Sequence, residues 1–127
     1  MRKLILFAAA AIALLNACSP SPQPIELGTD ACDHCQMTIV DEPFAAELVT
    51  KKGKVFKFDA IECMVNYLKD KGEDEFAHLL VRDFESPKDW QEARQSTYLV
   101  SPNLPSPMGG NLSAYKTEAA AKAMQAE

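Results

Sequence analysis

The sequence has no apolar run long enough to cross a bilayer. Its longest, Leu4 to Leu15, is 12 residues, where a spanning helix needs ~20. It has no Gly-x-Ser-x-Gly, no phosphate-cradling glycine loop and no His-Glu-x-x-His. No nucleophile–base constellation follows from it, and nothing points to an enzyme. Zinc ribbons need a second Cys-x-x-Cys or a histidine pair, and neither is present. Positive charge is also scarce: 13 Lys and Arg against 18 Asp and Glu leave a net charge of −5. Removing Arg2 and Lys3 with a leader would take two more positive charges and leave −7. An acidic chain argues against nucleic acid as a partner. The acidic residues are dispersed, as on a solvated surface.

What is present fits one small domain: 127 residues, 47% apolar and 24% charged. The short apolar run suits the core of a signal peptide behind the positive Met1-Arg-Lys. It ends in Leu15-Asn-Ala-Cys18, which resembles the bacterial lipoprotein signal. On that reading residues 1–17 are removed, and Cys18 becomes N-terminal and carries acyl chains such as palmitate. More than one chain would anchor it stably to a membrane. The alternative is an ordinary secretory peptide cut near Ala17 that leaves Cys18 free. Residues 18–27, with Pro20, Pro22 and Pro24, read as an extended tether that builds no core. Residues 28–127 are the domain, facing the periplasm.

The domain reads as α+β with a mainly antiparallel sheet. Met37 to Val40 starts a strand. Ala45–Thr50 and Lys54–Phe58 form a hairpin around Lys51-Lys-Gly53. Asp59 caps a helix, with Glu62 completing a capping-box pair. Ile61, Met64, Val65 and Leu68 form its apolar stripe, and Gly72 ends it. Glu73 to Ala77 is short and helical or irregular. Leu79-Leu-Val81 and Thr97–Val100 are strands, Trp90 packs on the core, and Ala93 to Ser96 is loop. Ser101 to Pro107 has no regular structure, Met108-Gly-Gly110 turns, and Ser113–Ala126 is a last helix.

The chemistry concentrates in Asp30-Ala-Cys-Asp-His-Cys-Gln-Met-Thr-Ile39. Two thiols, an imidazole and a thioether fall between Cys32 and Met37. Thiolate and thioether are soft donors that select Cu(I). Without Cys18, three cysteines remain, and an odd number cannot all pair internally. Cys32-x-x-Cys35 stays open to three readings: a metal site, a redox or structural disulfide, or unpaired thiols. Cys35 and Met37, at i and i+2 on a strand, would share a face; the plainer role for Met37 is filling space. His34 is a labile ligand or a solvated side chain, and His78 is structural. Cys63 is a small buried thiol or a third ligand. Met64 belongs to the core. Met108, in a loop before two glycines, is a candidate thioether.

Several stretches together resemble the NosL family, the accessory lipoproteins of nitrous oxide reductase assembly. They are the lipoprotein-like signal, Cys35-Gln-Met37-Thr-Ile39, Phe56-Lys-Phe58-Asp59 running into Ala60–Leu68, and Ser106-Pro-Met-Gly-Gly-Asn-Leu-Ser-Ala-Tyr115. The resemblance implies a fold of ββαβ units and a Cu(I)-binding chaperone. It also implies nitrous oxide reductase or another copper protein as recipient, beside an ABC-type membrane assembly complex. The family's Cys-x-Met falls on Cys35 and Met37, and its Pro-Met-Gly on Pro107, Met108 and Gly109. Many members lack a cysteine at position 32 and have glycine at position 36. Cys32 and Cys63 thus mark a subgroup richer in thiols.

Overall fold

The computed structural model describes residues 19–127. The expected signal peptide, residues 1–17, and the expected lipidation site Cys18 lie outside the described residues.

Around Gly53 the chain makes the expected hairpin. β1 (Ala46–Thr50) pairs with β2 (Val55–Phe58), Ala46 opposite Phe58 and Leu48 opposite Phe56. Gly53 sits at φ 89°, where a side chain is unfavourable. α1 (Ile61–Lys71) follows and ends at Gly72, whose N–H donates to the Leu68 carbonyl at 2.7 Å. The beginning of α1 differs from expectation. Ala60 is the N-cap, with no side-chain capping bond. The Asp59 carboxylate accepts from the Cys35 thiol instead of capping the helix. The stripe also differs. Ile61 and Met64 are buried and Leu68 is half-buried, but Val65 is exposed. Cys63 and Tyr67 face the core in its place.

β3 (Phe76–Arg82) pairs along the other side of β1, and β4 (Trp90–Glu92) along β3. The sheet order is β2-β1-β3-β4. β3 starts at Phe76, inside the stretch expected to be helical or irregular. Trp90 lies half-buried on the face away from α1, with the Arg82 guanidinium 3.5 Å above its ring; the core does not contain it. Ala93–Gln95 form a single 3₁₀ turn in the expected loop. β5 (Thr97–Val100) and β6 (Leu112–Tyr115) form a second antiparallel ribbon, and α2 (Glu118–Gln125) closes the chain. The last helix is therefore shorter than its composition suggests. Pairing with β5 and full burial of Tyr115 hold residues 112–115 extended. Thr117 then caps α2 by accepting from the Ala120 N–H at 3.1 Å.

Each strand pair described is antiparallel, β1-β2-α1-β3 is the ββαβ unit, and the class is α+β. α1 covers one face of the sheet. Beneath it lie Ala46, Leu48, Phe58, Ile61, Met64, Phe76 and Val81, with Cys32 and Cys63 among them. A smaller cluster around Leu99, Tyr115 and Ala121 joins the ribbon to α2. Phe84 packs edge-on against Phe44 and tilted against Tyr115, which ties the smaller cluster to the Glu42–Phe44 turn ahead of β1. No helix among the described residues is long and apolar enough to cross a membrane.

Candidate metal centre

Residues 28–39 fold as a tight lobe against the free edge of β2. The Ile39 N–H donates to the Asp30 carbonyl at 2.9 Å, and Ala31 bridges Thr38. At the tip, the Cys32 N–H donates to the Met37 carbonyl at 2.8 Å and the Gln36 N–H to the Cys32 carbonyl at 3.0 Å. Asp33 fastens this knuckle to the sheet. Its N–H donates to the Lys57 carbonyl at 2.8 Å, and its carboxylate accepts from the Lys57 N–H at 2.7 Å. The Lys57 side chain adds a 2.6 Å ion pair to Asp30. Covering β2 in this way also removes an exposed strand edge.

The knuckle sets Cys32 and Cys35 over the start of α1, where Cys63 points to the core. The three sulfurs and an Asp59 carboxylate oxygen all lie within 4.8 Å of one another. Cys32, Cys63 and Asp59 are buried and Cys35 is half-buried, so one thiol faces the way out. The Cys35 thiol donates to Asp59 Oδ2 at 3.5 Å, while Asp59 Oδ1 has no partner among the described residues. All three cysteines are free thiols. Burial pushes the Cys32 thiol above its usual range, opposed by backbone N–H groups of Cys35, Asp59 and His34. Burial pushes the Cys63 thiol up as well, assisted by its hydrogen bond with Asp59 and the nearby Cys32. Burial therefore favours the protonated form of Cys32 and Cys63.

The structure thus brings Cys32, Cys35 and Cys63 together. It joins to them Asp59, which sequence reasoning took for a helix cap. The available signal was its position, two residues before the start of α1 and four before Cys63. Met37 is placed differently from the strand expectation. Gln36 has φ 66°, a left-handed residue that breaks the extended geometry, so i, i+2 spacing does not put Cys35 and Met37 on one face. The Met37 side chain is 48% exposed.

Met108 is equally open, at 43%, but its loop is fixed. The Ser106 hydroxyl donates to Glu62, the residue before Cys63, and accepts from the Asn111 N–H at 2.8 Å. Gly110 lies so close that a Cβ there would fall 2.5 Å from Glu62 Oε1. The loop carrying Met108 is therefore clasped to the first turn of α1. His34 is exposed. His78 pairs with Glu92 at 2.7 Å across β3 and β4.

The NosL family model matches residues 24–127. The crystal structure of the copper chaperone NosL from Shewanella denitrificans superposes with a TM-score of 0.70. It is 23% identical, and the match covers 84% of this chain and 86% of that one; at that identity the likeness is one of fold. No curated protein matches the chain. The family match spans both cores and the thiol knuckle, and the chain belongs to the NosL family.

Proposed function

We propose that this protein is a Cu(I) chaperone and not an enzyme. The observation that carries the reading is the convergence of Cys32, Cys35, Cys63 and Asp59 within 4.8 Å. A metal–thiolate bond of ~2.3 Å puts neighbouring sulfurs ~4 Å apart. The cluster needs little contraction to hold an ion, and its three soft donors favour Cu(I). Binding displaces the protons that burial holds on Cys32 and Cys63. Cys35 is the most open of the thiols and the route by which a recipient would take the ion. Met37 and Met108 are thioethers at the surface, suited to passing copper outward as transient ligands. The copper chaperone from Shewanella denitrificans, with the same fold, supports this reading.

The leader and the family resemblance extend the proposal. Cys18 would carry the lipid anchor on the periplasmic side of a bacterial membrane. The recipient would be nitrous oxide reductase or another copper protein, served beside an ABC-type membrane complex. A thiol–disulfide protein using Cys32 and Cys35 is the alternative. The raised Cys32 thiol opposes it, because exchange runs through the thiolate.

The test is anaerobic Cu(I) competition against a chromophoric chelator, with the reduced chain from Ser19 onward. The expected result is about one copper per chain. Cys35→Ser and Cys63→Ser each weaken it by at least roughly tenfold, or ~1.4 kcal/mol. Met37→Leu and Met108→Leu lose less affinity and slow transfer to an acceptor. Failure of the reduced wild type to compete refutes the copper reading; a Cys32–Cys35 disulfide exchanging with a dithiol partner would replace it.

A further inference from the structure

The sheet face away from the thiols carries a second arrangement that copper binding does not use. Along it run Lys57 on β2, Glu47 on β1, and Leu80 and Arg82 on β3 with Trp90 beside them on β4. Glu47 stands opposite Lys57 and Leu80, and Arg82 opposite Trp90. Glu47 is completely buried. What lies over it is the proline-rich N-terminal stretch. The Gln23 N–H donates to Glu47 Oε2 at 3.1 Å, and the Pro24 carbonyl accepts from Lys57 Nζ at 2.7 Å. The stretch has no regular structure, and Ser21, Pro22, Gln23 and Pro24 are themselves exposed. It crosses the sheet as a thin ribbon held by few polar contacts, the kind of segment that opens at low cost. A cavity of about 400 Å³ remains between this ribbon and Glu42, Arg82, Lys88 and Trp90.

We propose that residues 19–25 are a detachable strap over the outer face of the sheet, and that protonation of Glu47 holds it closed. Glu47 Oε1 is buried with no partner among the described residues. A carboxylate there is costly, whereas a carboxylic acid keeps Oε2 free to accept from Gln23. The groups facing Glu47 are Lys57 from β2, Arg82 from β3 and Asp30 from the knuckle lobe. Lys57 is committed to Asp30 and Pro24. Arg82 is drawn to Glu42 and to the Lys88 carbonyl. Neither cation neutralises Glu47 fully. Burial raises it from 4.5 to about 7, against the opposing pull of Gln23, Lys57 and Arg82.

The direction of the effect follows. The closed strap binds the proton more tightly than an open one, so closing is favoured at low pH. That advantage falls away as pH rises from about 4.5 to about 7 and is gone above it. Opening frees seven residues of proline-rich chain, an added reach of ~20 Å at ~3 Å per residue. It also uncovers Arg82 and Trp90. A change near neutral pH would thus alter how far the domain stands from whatever holds its N-terminus.

The experiment uses the chain from Ser19, which contains every described element and both cores. Protection of the Gln23 amide against hydrogen exchange is followed by NMR and normalised to a free peptide of the same sequence. Acrylamide quenching of Trp90, the single tryptophan, is read in parallel. Between pH 6 and pH 8 the Gln23 protection factor should fall about tenfold and Trp90 should become more quenchable. Glu47→Gln should remove both pH dependences with the strap closed. Gln23→Pro, which lacks the donor, should leave Trp90 accessible at both pH values while the amides of β1 and β3 stay protected. Equal Gln23 protection at pH 6 and pH 8 in the wild type overturns the proposal, whether or not the Glu47 variant folds. So does a pH dependence that survives in Glu47→Gln.

Discussion

The two faces of the sheet bury very different chemistry with the same strands. On β1, Ala46 and Leu48 face α1 and the thiols, while Glu47 between them faces charge. The period of two is obeyed on both sides, and both sides are covered, one by a helix and the other by a ribbon of chain. The inner face is apolar and buried, and it brings three sulfurs and an Asp59 oxygen within 4.8 Å. Both faces keep buried polar atoms without a partner among the described residues, Asp59 Oδ1 at the thiols and Glu47 Oε1 and Arg82 Nε on the outer face. The difference teaches where each kind of rigidity comes from. The thiol cluster is built into the core under a helix, and the proposed strap is laid over a buried carboxylate outside that core.

The comparison breaks most severely on the inner face. Phe58 is fully buried, packs edge-on against Tyr67 and neighbours Asp59. Phe58→Ala should cost ~3–5 kcal/mol, measured by urea denaturation, and should loosen Cu(I) binding through the start of α1. On the outer face, the corresponding effect is pH-dependent. Because Glu47 is raised to about 7, its contribution to stability falls as pH rises from about 4.5 to about 7. The loss is on the order of 3 kcal/mol. Denaturation curves of the wild type and Glu47→Gln across that window should converge at low pH and separate at high pH.

Asp30 sharpens the contrast because it has the opposite sign on the same face. The hydrogen bond from Lys57, joined by one from the Glu26 N–H, holds its carboxyl below the usual range. Its contribution is therefore present above the unfolded pKa and lost as pH falls through the lowered value. Lys57→Met should cost ~1 kcal/mol at pH 7, the scale of a partly exposed pair. It should also shrink the loss of stability on acidification. A Lys57→Met protein with an unchanged acid limb would separate Asp30 from Lys57 as a stability pair.

Much of this architecture was legible in the residues, and the rest failed for identifiable reasons. The hairpin, α1 and β5 follow from local signals: Gly53, the Lys69 and Lys71 last turn with Gly72, and Thr97-Tyr-Leu-Val100. β6 was hidden because Leu112–Tyr115 is extended only by virtue of β5, a partner supplied by tertiary pairing. Asp59 was misread because Asp before a helix is a strong capping signal, and only the arrival of the Cys35 thiol gives its carboxylate other work. Trp90 was expected to pack on the core, whereas it lies under a cation on the opposite face of the sheet. The strap was invisible for the same kind of reason. Prolines forbid regular structure, but they do not forbid a docked backbone N–H at Gln23.

The smallest effect tests how the knuckle is made. Gln36 lies between Cys35 and Met37 at φ 66°, a region that costs a residue with a Cβ roughly 1 kcal/mol or more. The strain is maintained because the Cys32–Gln36 and Cys32–Met37 backbone bonds and the Asp33–Lys57 pairing determine the loop from both sides. Glycine adopts this conformation freely but loses more freedom on folding. Gln36→Gly should therefore stabilise by only ~0.5–1 kcal/mol, seen as a rise of roughly 2–8 °C in Tm, with Cu(I) affinity unchanged. If affinity instead fell while stability rose, the tension at Gln36 would be helping to hold Cys32 and Cys35 at their spacing, and the inner face would share some of the outer face's compromise.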